Sequence, residues 1–198
     1  MPKLRKVLIV TASPRPRGNS TLLAAEAARG AGEAGAEVRM VSLAGLSIGP
    51  CLACDRCRKS GAEGCVQKDD FEPLRDDLKS ADALLIASPV YWFTMSAQAK
   101  LFMDRLYVLG AKGYRELKGK RIGIILTSGD ADPRSSGAVN AMSAFKYAFA
   151  YLGAPIVGMI HGPGGRAGAV LKNKALLKEA CALGQALVGR KMLEKLRK

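Results

Sequence analysis

The chain has 198 residues, of which 48% are hydrophobic and 24% are charged. This length and composition predict one folded domain and exclude an intrinsically disordered, collagen-like or coiled-coil protein. Lys and Arg outnumber Asp and Glu by 31 to 17, and the resulting net charge of +14 favours anionic partners such as a phosphorylated cofactor, nucleic acid or an acidic protein.

The apolar segments are too short to cross a membrane, because none reaches the roughly 18 uncharged residues that a span requires. The apolar run 7–12 follows three basic residues, but it has only six residues and leads into Pro14. We therefore expect a cytoplasmic protein without membrane association. The last nine residues hold the densest basic cluster, which we interpret as a solvated helix end: Arg190, Lys191, Lys195, Arg197 and Lys198.

Buried apolar segments alternate with helical patterns along the chain. Strands are predicted at 7–11, 38–43, 83–87, 121–127 and 156–160. Helices are predicted at 22–33 with capping residues at 19–21, from Asp69 and Asp70 to about residue 80, at 96–109, at 138–152, and at 171–196 with a break near Gly184 and Gly189. Five strands alternating with five helices predict an α/β fold with a parallel sheet, in which ligands bind at the carboxyl ends of the strands.

The loop after the first predicted strand is rich in hydroxyl, amide and arginine side chains. It runs directly into a helix, whose N-terminal N–H groups and dipole attract an anion. The candidate phosphate ligands are Ser13, Arg15, Asn19, Ser20 and Thr21. The loop lacks the glycine spacing of a dinucleotide fingerprint or a P-loop, so a monophosphate suits it better than a pyrophosphate. The alternative is an ordinary capped turn.

The loops after the third and fourth predicted strands supply aromatic and polar groups. Three consecutive aromatic residues occur in a chain with only 6% aromatic residues, and such groups beside a strand end are suited to stacking on a planar ring. A core plug or a subunit interface is the alternative. The candidate ring contacts are Pro89, Val90, Tyr91, Trp92, Phe93, Ser128 and Gly129. Together with the phosphate loop, these groups predict a flavin mononucleotide (FMN) site.

Residues 13–21, 88–93 and 100–105 resemble the NADPH-dependent FMN reductase family of flavodoxin-like proteins, in an arrangement that covers about residues 5–160. The resemblance implies a flavodoxin-like three-layer sandwich with a five-stranded parallel sheet in the order 2-1-3-4-5. It also implies FMN bound by the candidates named above, NAD(P)H as co-substrate, and a homodimer or homotetramer. We expect residues 1–198 to form a single FMN-binding domain with a cysteine-rich loop at 49–68.

Four of the five cysteines, Cys51, Cys54, Cys57 and Cys65, form a C-x2-C-x2-C-x7-C pattern. Such clustering in a cytosolic chain favours metal or redox chemistry over disulfides. The spacing is similar to the compact half of a ferredoxin cluster site, whereas zinc sites usually have two separated cysteine pairs. This segment resembles the iron–sulfur flavoprotein branch of the family, which implies a [4Fe–4S] cluster on these four thiolates. A loop without a cluster is the alternative. Cys181 is predicted to be a packed core residue.

Three functional hypotheses follow from these patterns. The first is an oxidoreductase that passes electrons from NAD(P)H through FMN to a quinone, a flavin or another small acceptor, with no catalytic side chain required. The second is an iron–sulfur flavoprotein that carries electrons to or from a ferredoxin-type protein. The third, a nucleic-acid-binding module, is disfavoured because the chain lacks a basic recognition helix.

Three weaker candidates are interpreted as structural. His161 is the only histidine and follows the fifth predicted strand. The glycine-rich segment 162–167 has the form of a dinucleotide fingerprint but not its strand–helix context, so it is interpreted as a turn near the nicotinamide cofactor. Asp104 and Arg105 are neighbours on a predicted helix and are interpreted as a local ion pair.

Overall fold

A computed structural model describes residues 5–189 of the chain, in which strands and helices alternate. The strands are β1 (Lys6–Thr11), β2 (Glu37–Ser42), β3 (Ala83–Tyr91), β4 (Thr94–Met95), β5 (Arg121–Ser128) and β6 (Ile156–Pro163). The helices are α1 (Asn19–Glu33), α2 (Phe71–Ser80), α3 (Ala97–Arg105), α4 (Ala138–Tyr151) and α5 (Lys174–Val188). No helix within these described residues is long and apolar enough to cross a bilayer.

The sheet has the order β2-β1-β3-β5-β6, and all four of these pairings are parallel. The predicted order 2-1-3-4-5 is therefore confirmed for the five main strands. The short β4 is an additional strand that the sequence analysis missed, and it pairs antiparallel with the end of β3. Helices cover both faces, with α2, α3 and α4 packing on one core layer and α1 and α5 on the other.

The central strands extend further than the sequence patterns predicted. β3 runs on to Tyr91, so Pro89 and Val90 lie in a strand and not in a loop. The parallel ladder explains this extension, because Pro89 still pairs with Thr127 of β5. β6 likewise continues through His161 and Gly162 to Pro163.

Three helix boundaries differ from the prediction. α1 begins at Asn19 with Gly18 as its N-cap, so residues 19–21 lie inside the helix. α3 ends at Arg105 and a 3-10 helix continues over Leu106–Lys112. α5 runs through Gly184 and ends at Val188, where the C-cap Gly189 has a positive φ of 98°. The C-terminal basic cluster and the predicted helix beyond residue 189 lie outside the described residues.

The contact between α1 and α5 explains why α5 is not interrupted at Gly184. A Cβ atom there would lie 1.9 Å from the carbonyl oxygen of Ala27, so only glycine allows the two helix backbones to approach this closely. Gly30 of α1 has the same role, since its Cβ would lie 2.0 Å from the carbonyl oxygen of Cys181. Cys181 is 9% exposed, as predicted for a packed core residue.

Candidate functional site

Four chain segments meet at the carboxyl edge of the sheet and line an open cleft of about 150 Å³. They are the loop after β1, the end of β3, the end of β5 and the loop after β6. The predicted contacts that line the cleft are Ser13, Arg15, Asn19, Ser20, Pro89, Val90, Tyr91, Ser128 and Gly129. Thr21, Trp92 and Phe93 are not part of its lining.

The sequence analysis missed part of the cleft, namely Gly18, Thr127, Gly164, Gly165 and Ala167. Three of these residues belong to the glycine-rich segment after β6, which the sequence analysis interpreted as a turn near the nicotinamide cofactor and did not include among the FMN contacts. The sequence did contain a signal for these residues. The segment follows the carboxyl end of a predicted parallel strand, which is where ligands bind in this class of fold.

Ser13 fixes the turn that opens the loop after β1. Its hydroxyl donates to the carbonyl oxygen of Arg15 at 3.2 Å and accepts from the backbone N–H of Arg15 at 3.1 Å. Gly18 allows the loop to fold back, because a Cβ there would lie 2.2 Å from the Ser13 hydroxyl. Arg15 and Arg17 are both exposed, but only Arg15 lines the cleft. The geometry therefore distinguishes two arginines that the sequence alone left equivalent.

The N-terminus of α1 faces the cleft without a side-chain cap. Its N-cap residue is Gly18, which has no side chain to accept a hydrogen bond from the first turn, and that turn contains no acidic residue. Ser20 lies in this turn and is fully buried, yet its Oγ has no hydrogen-bond partner within the described residues. Since a buried polar group without a partner is costly, this hydroxyl beside free helix N–H groups is suited to an anionic ligand.

Asn19 ties the loop after β1 to the loop after β6. Its Nδ2 donates to the carbonyl oxygens of Gly164 at 2.5 Å and Arg166 at 2.9 Å, and its Oδ1 accepts from the N–H of Val170 at 3.3 Å. Both amide hydrogens are thus engaged within the protein. Asn19 therefore offers a ligand its backbone N–H, and its side chain holds the opposite wall of the cleft.

His161 supports the polar wall of the cleft from behind. The Ser128 hydroxyl donates its one hydrogen to the carbonyl oxygen of Asp130 at 2.7 Å, so it accepts from the Nε2–H of His161 at 2.6 Å. Burial lowers the pKa of His161, and the charges of Asp132 and Asp130 only partly oppose this effect. His161 is therefore a neutral donor near pH 7, in agreement with its structural interpretation.

The aromatic residues form the tip of the β3–β4 hairpin. Trp92 and Phe93 have positive φ angles of 47° and 63°, a conformation that is normally occupied by Asn or Gly in two-residue hairpin turns. Trp92 is 93% exposed and Phe93 is 58% exposed. The alternative of a core plug is therefore wrong, whereas stacking on a ring or on a second subunit stays a prediction.

The cysteine-rich loop lies between β2 and α2. Cys51 and Cys54 are exposed, and Cys57 and Cys65 are half-buried against the core. Burial raises the pKa of Cys57, as do the neighbouring Cys65, Cys51 and Cys54, whereas hydrogen bonds from the backbone and side chain of Arg56 lower the pKa of Cys54.

The loop therefore has the soft thiolate donors that an iron–sulfur cluster requires, but it does not gather them into a ligand set. Among the described residues, no three His, Cys, Asp or Glu side chains converge as metal ligands. Binding of a cluster by all four thiolates would therefore require the loop to change conformation.

The prediction of a local ion pair between Asp104 and Arg105 is wrong. Asp104 pairs with Lys100 at 2.7 Å on the surface of α3. Arg105 points the other way and is buried, with its Nη1 2.5 Å from Oδ2 of Asp69. Adjacent residues on a helix point about 100° apart, so they do not share a face.

The strand order defines a flavodoxin-like fold, and solved structures with TM-scores of 0.71 and 0.58 share it. The chain belongs to the NADPH-dependent FMN reductase family, whose model matches residues 5–163. The family that the sequence predicted is thereby confirmed.

Two curated relatives and one solved structure are similar to this chain. The chain is 41% identical over 100 residues to an iron–sulfur flavoprotein of Methanocaldococcus jannaschii. The aligned region covers 50% of this chain and 51% of that protein. It is 29% identical to an iron–sulfur flavoprotein of Archaeoglobus fulgidus, over 92% of this chain and 94% of the other. The structure of an NAD(P)H:quinone oxidoreductase from Methanothermobacter marburgensis matches with a TM-score of 0.71 at 18% identity, over 95% and 99% of the two chains. The chain spans about half the length of several curated relatives that it matches.

Proposed function

We propose that this protein binds FMN in the cleft and passes electrons from NAD(P)H to a small acceptor such as a quinone or a flavin. The observation that carries the proposal is the buried, unpartnered hydroxyl of Ser20 at the open N-terminus of α1. Membership of a family described as NADPH-dependent FMN reductases supports the same conclusion. FMN supplies hydride and single-electron chemistry when it is bound.

The protein's own residues bind and orient the cofactor in this proposal. The Ser20 hydroxyl, the N–H groups of the first turn of α1 and the Arg15 guanidinium hold the phosphate. The backbone of residues 127–129 and the end of β3 flank the ring system, and Tyr91 at the hairpin base adds an aromatic wall. Ser128 is kept in place by His161. No side chain is required as an acid or a base.

The decisive experiment compares the binding of FMN and riboflavin, which differ by the phosphate. The apoprotein is expected to prefer FMN strongly. Replacing both Ser20 and Arg15 by alanine is expected to weaken FMN binding by at least about 100-fold and to leave riboflavin binding nearly unchanged, because each lost charge-assisted hydrogen bond contributes about 1.5–3 kcal/mol. Arg17→Ala is the matched control, since Arg17 is equally exposed but does not line the cleft.

Two results would contradict this assignment. Unchanged FMN affinity in the Ser20→Ala, Arg15→Ala double variant would refute the phosphate site. An apoprotein that binds neither FMN nor riboflavin would refute the function. The electron donor is tested separately, by anaerobic reduction of the bound flavin with NADPH and with NADH, followed by reoxidation with a quinone.

A second candidate function is an iron–sulfur flavoprotein that exchanges electrons with a ferredoxin-type protein. It is favoured by the spacing of Cys51, Cys54, Cys57 and Cys65 and by the names of several curated relatives. Anaerobic purification with analysis of iron and acid-labile sulfide tests it directly. If the protein carries a cluster, Cys54→Ser is expected to lower its iron content. If the protein is an FMN oxidoreductase without a cluster, Cys54→Ser is expected to reduce a quinone with NADPH as fast as the wild type does.

We also propose that residues 1–198 act as one FMN-binding domain that assembles into a homodimer or homotetramer in the cytoplasm. The exposed Trp92 and Phe93 support self-association, because aromatic groups on rigid hairpins are common anchors of protein interfaces. Sedimentation of the wild-type protein and of Trp92→Ser tests this point. A monomeric wild-type protein would contradict it.

A further inference from the structure

The loop after β6 forms one side of the cleft, and we call residues 164–170 of this loop the wall segment. Gly164, Gly165 and Ala167 line the cleft, so this part of the lining consists of backbone and one methyl group. The match to the family model ends at residue 163, so the wall segment lies beyond the matched residues.

Two contacts fix the ends of the wall segment. At its start, the Gly164 N–H donates to the carbonyl oxygen of Ser128 at 2.7 Å, which joins the segment to the end of β5. At its end, Val170 is buried in the core layer that also contains residues of α1 and α5. The stretch between these two ends is bound by the side chain of Asn19, the first residue of α1.

Asn19 binds three backbone positions of the wall segment with one side chain, and we call these three hydrogen bonds the Asn19 strap. They go to the carbonyl oxygens of Gly164 and Arg166 and to the N–H of Val170. Asn19 is only 6% exposed, so backbone groups that lost the strap would be costly to leave without a partner. Gly164 also packs directly on this side chain, since a Cβ there would lie 2.4 Å from Nδ2 of Asn19.

The wall segment presents no charged side chain to the cleft. Arg166 is exposed, but it is not among the residues that line the cleft. A wall made of backbone and one methyl group has no net charge with which to select a phosphate. It also continues to Ser128, which lies beside the proposed ring site and not beside the proposed phosphate site. We therefore expect the wall segment to contact the ribityl chain and the ring, which FMN and riboflavin have in common.

We propose that Asn19 is a positioning residue, whose strap holds the wall segment in place and thereby sets the affinity for the part of the cofactor that FMN and riboflavin share. This role rests on the proposed flavin site, whereas the strap itself is a set of contacts within the protein. A ligand that needs the wall binds only those molecules in which the wall is in place, so loosening the wall weakens both flavins by the same factor. Replacing Ser20 and Arg15 acts on the phosphate instead, and so changes the preference for FMN over riboflavin.

Asn19→Ala is the principal variant, because it removes the strap and keeps the backbone N–H at the start of α1. The first measurement is hydrogen exchange of the amides in 164–170 in the protein without flavin. We expect exchange there to become at least about tenfold faster, while the amides of β1 and β3 keep their protection. Asn173→Ala is the matched control, because it loses an amide that accepts from the Leu176 N–H at 3.0 Å outside the wall segment. It should leave exchange in 164–170 unchanged.

The second measurement is the dissociation constants of FMN and of riboflavin from each apoprotein. We expect Asn19→Ala to bind both flavins about tenfold more weakly and to keep their ratio within about threefold of the wild-type ratio, because both need the same wall. Asn173→Ala should bind both as the wild type does. Gly164→Ala loosens the same contact from the opposite side, since its Cβ would meet Asn19, and should reproduce both results even if Asn19→Ala folds poorly.

The outcomes separate this inference from the function proposed above. Unchanged exchange in 164–170, or a loss of protection spread over the whole sheet, would refute the strap. Faster exchange with unchanged affinity for both flavins would refute its role in binding. A loss of affinity for FMN alone would make Asn19 a phosphate ligand and contradict the inference. A wild-type protein that binds neither flavin would refute both the FMN site and the role in binding, while the exchange data would still decide the strap.

Discussion

Asn140 of α4 donates a 3.0 Å hydrogen bond from Nδ2 to the carbonyl oxygen of Phe93 at the tip of the β3–β4 hairpin. Gly137, just before α4, lies so close that a Cβ there would be 2.5 Å from the Cα of Phe93. The start of α4 thus fixes a hairpin whose two central residues both have unfavourable positive φ angles. Strain that is held in place in this way is typical of functional positions.

Replacing Trp92 by glycine should stabilise the protein. Trp92 is 93% exposed and has a φ of 47°, so glycine relieves about 1–2 kcal/mol of left-handed strain with little loss of packing. Urea unfolding is expected to show a higher free energy of unfolding for Trp92→Gly than for the wild type. Trp92→Ala keeps the strain and serves as the control. A less stable Trp92→Gly protein would contradict this account.

Replacing Ser20 by alanine should not destabilise the apoprotein, although Ser20 is fully buried. Its hydroxyl has no partner to lose, and removing an unsatisfied polar group is neutral or favourable by up to about 1 kcal/mol. Ser96→Ala is the comparison, because the Ser96 hydroxyl donates to the carbonyl oxygen of Ala12 at 2.9 Å and accepts from the Ala99 N–H. Thermal unfolding of both apoproteins should therefore separate them, and equal losses of stability would contradict the prediction.

Stability should fall as the pH decreases through about 6.5, the ordinary pKa of histidine. Burial lowers the pKa of His161 in the folded protein, so the unfolded chain binds a proton more readily and is favoured as the pH falls. His161→Gln keeps a side-chain donor at the position of Nε2 and should flatten the pH dependence between pH 7 and 5. The chain has one histidine, so a proton NMR titration assigns the pKa directly. A His161 titration midpoint above pH 6.5 would contradict the expected direction of the pKa shift and of the pH dependence.

Two glycine-to-alanine substitutions in the packed helices should have opposite effects. Gly184→Ala forces a methyl group into the Ala27 backbone and should cost at least about 1–3 kcal/mol. Gly32 of α1 faces open space and has no positive φ, so Gly32→Ala should add up to about 1 kcal/mol through helix propensity. Chemical denaturation measures both effects. If both substitutions changed the free energy of unfolding in the same direction, the close α1–α5 contact at Gly184 would be contradicted.

Much of the architecture could be predicted from the sequence because its signals are local. Continuous apolar runs such as 7–11 and 121–127 identified the buried strands, and their alternation with helices gave the class of fold. The rule that ligands bind at the carboxyl ends of parallel strands then brought distant loops to one place. The predicted phosphate loop and the ends of the third and fourth predicted strands do meet at one cleft.

The features that were missed depend on contacts between distant residues. Nothing local in the sequence shows that the Asn19 amide is engaged by the backbone at 164–170, or that Arg105 pairs with Asp69 and not with Asp104. The strained turn at Trp92 and Phe93 violates local turn preferences, so no propensity argument could find it. Strand extension to Tyr91 likewise depends on a neighbouring strand and not on the residues themselves.

The four walls of the cleft come from residues near 18, 90, 128 and 165, so they are synthesised far apart in time. The last wall follows β6, the final strand of the sheet. A growing chain on the ribosome therefore has no complete cleft until this last segment has emerged. Binding of FMN in this cleft, as proposed above, therefore requires that all four walls have been made and folded.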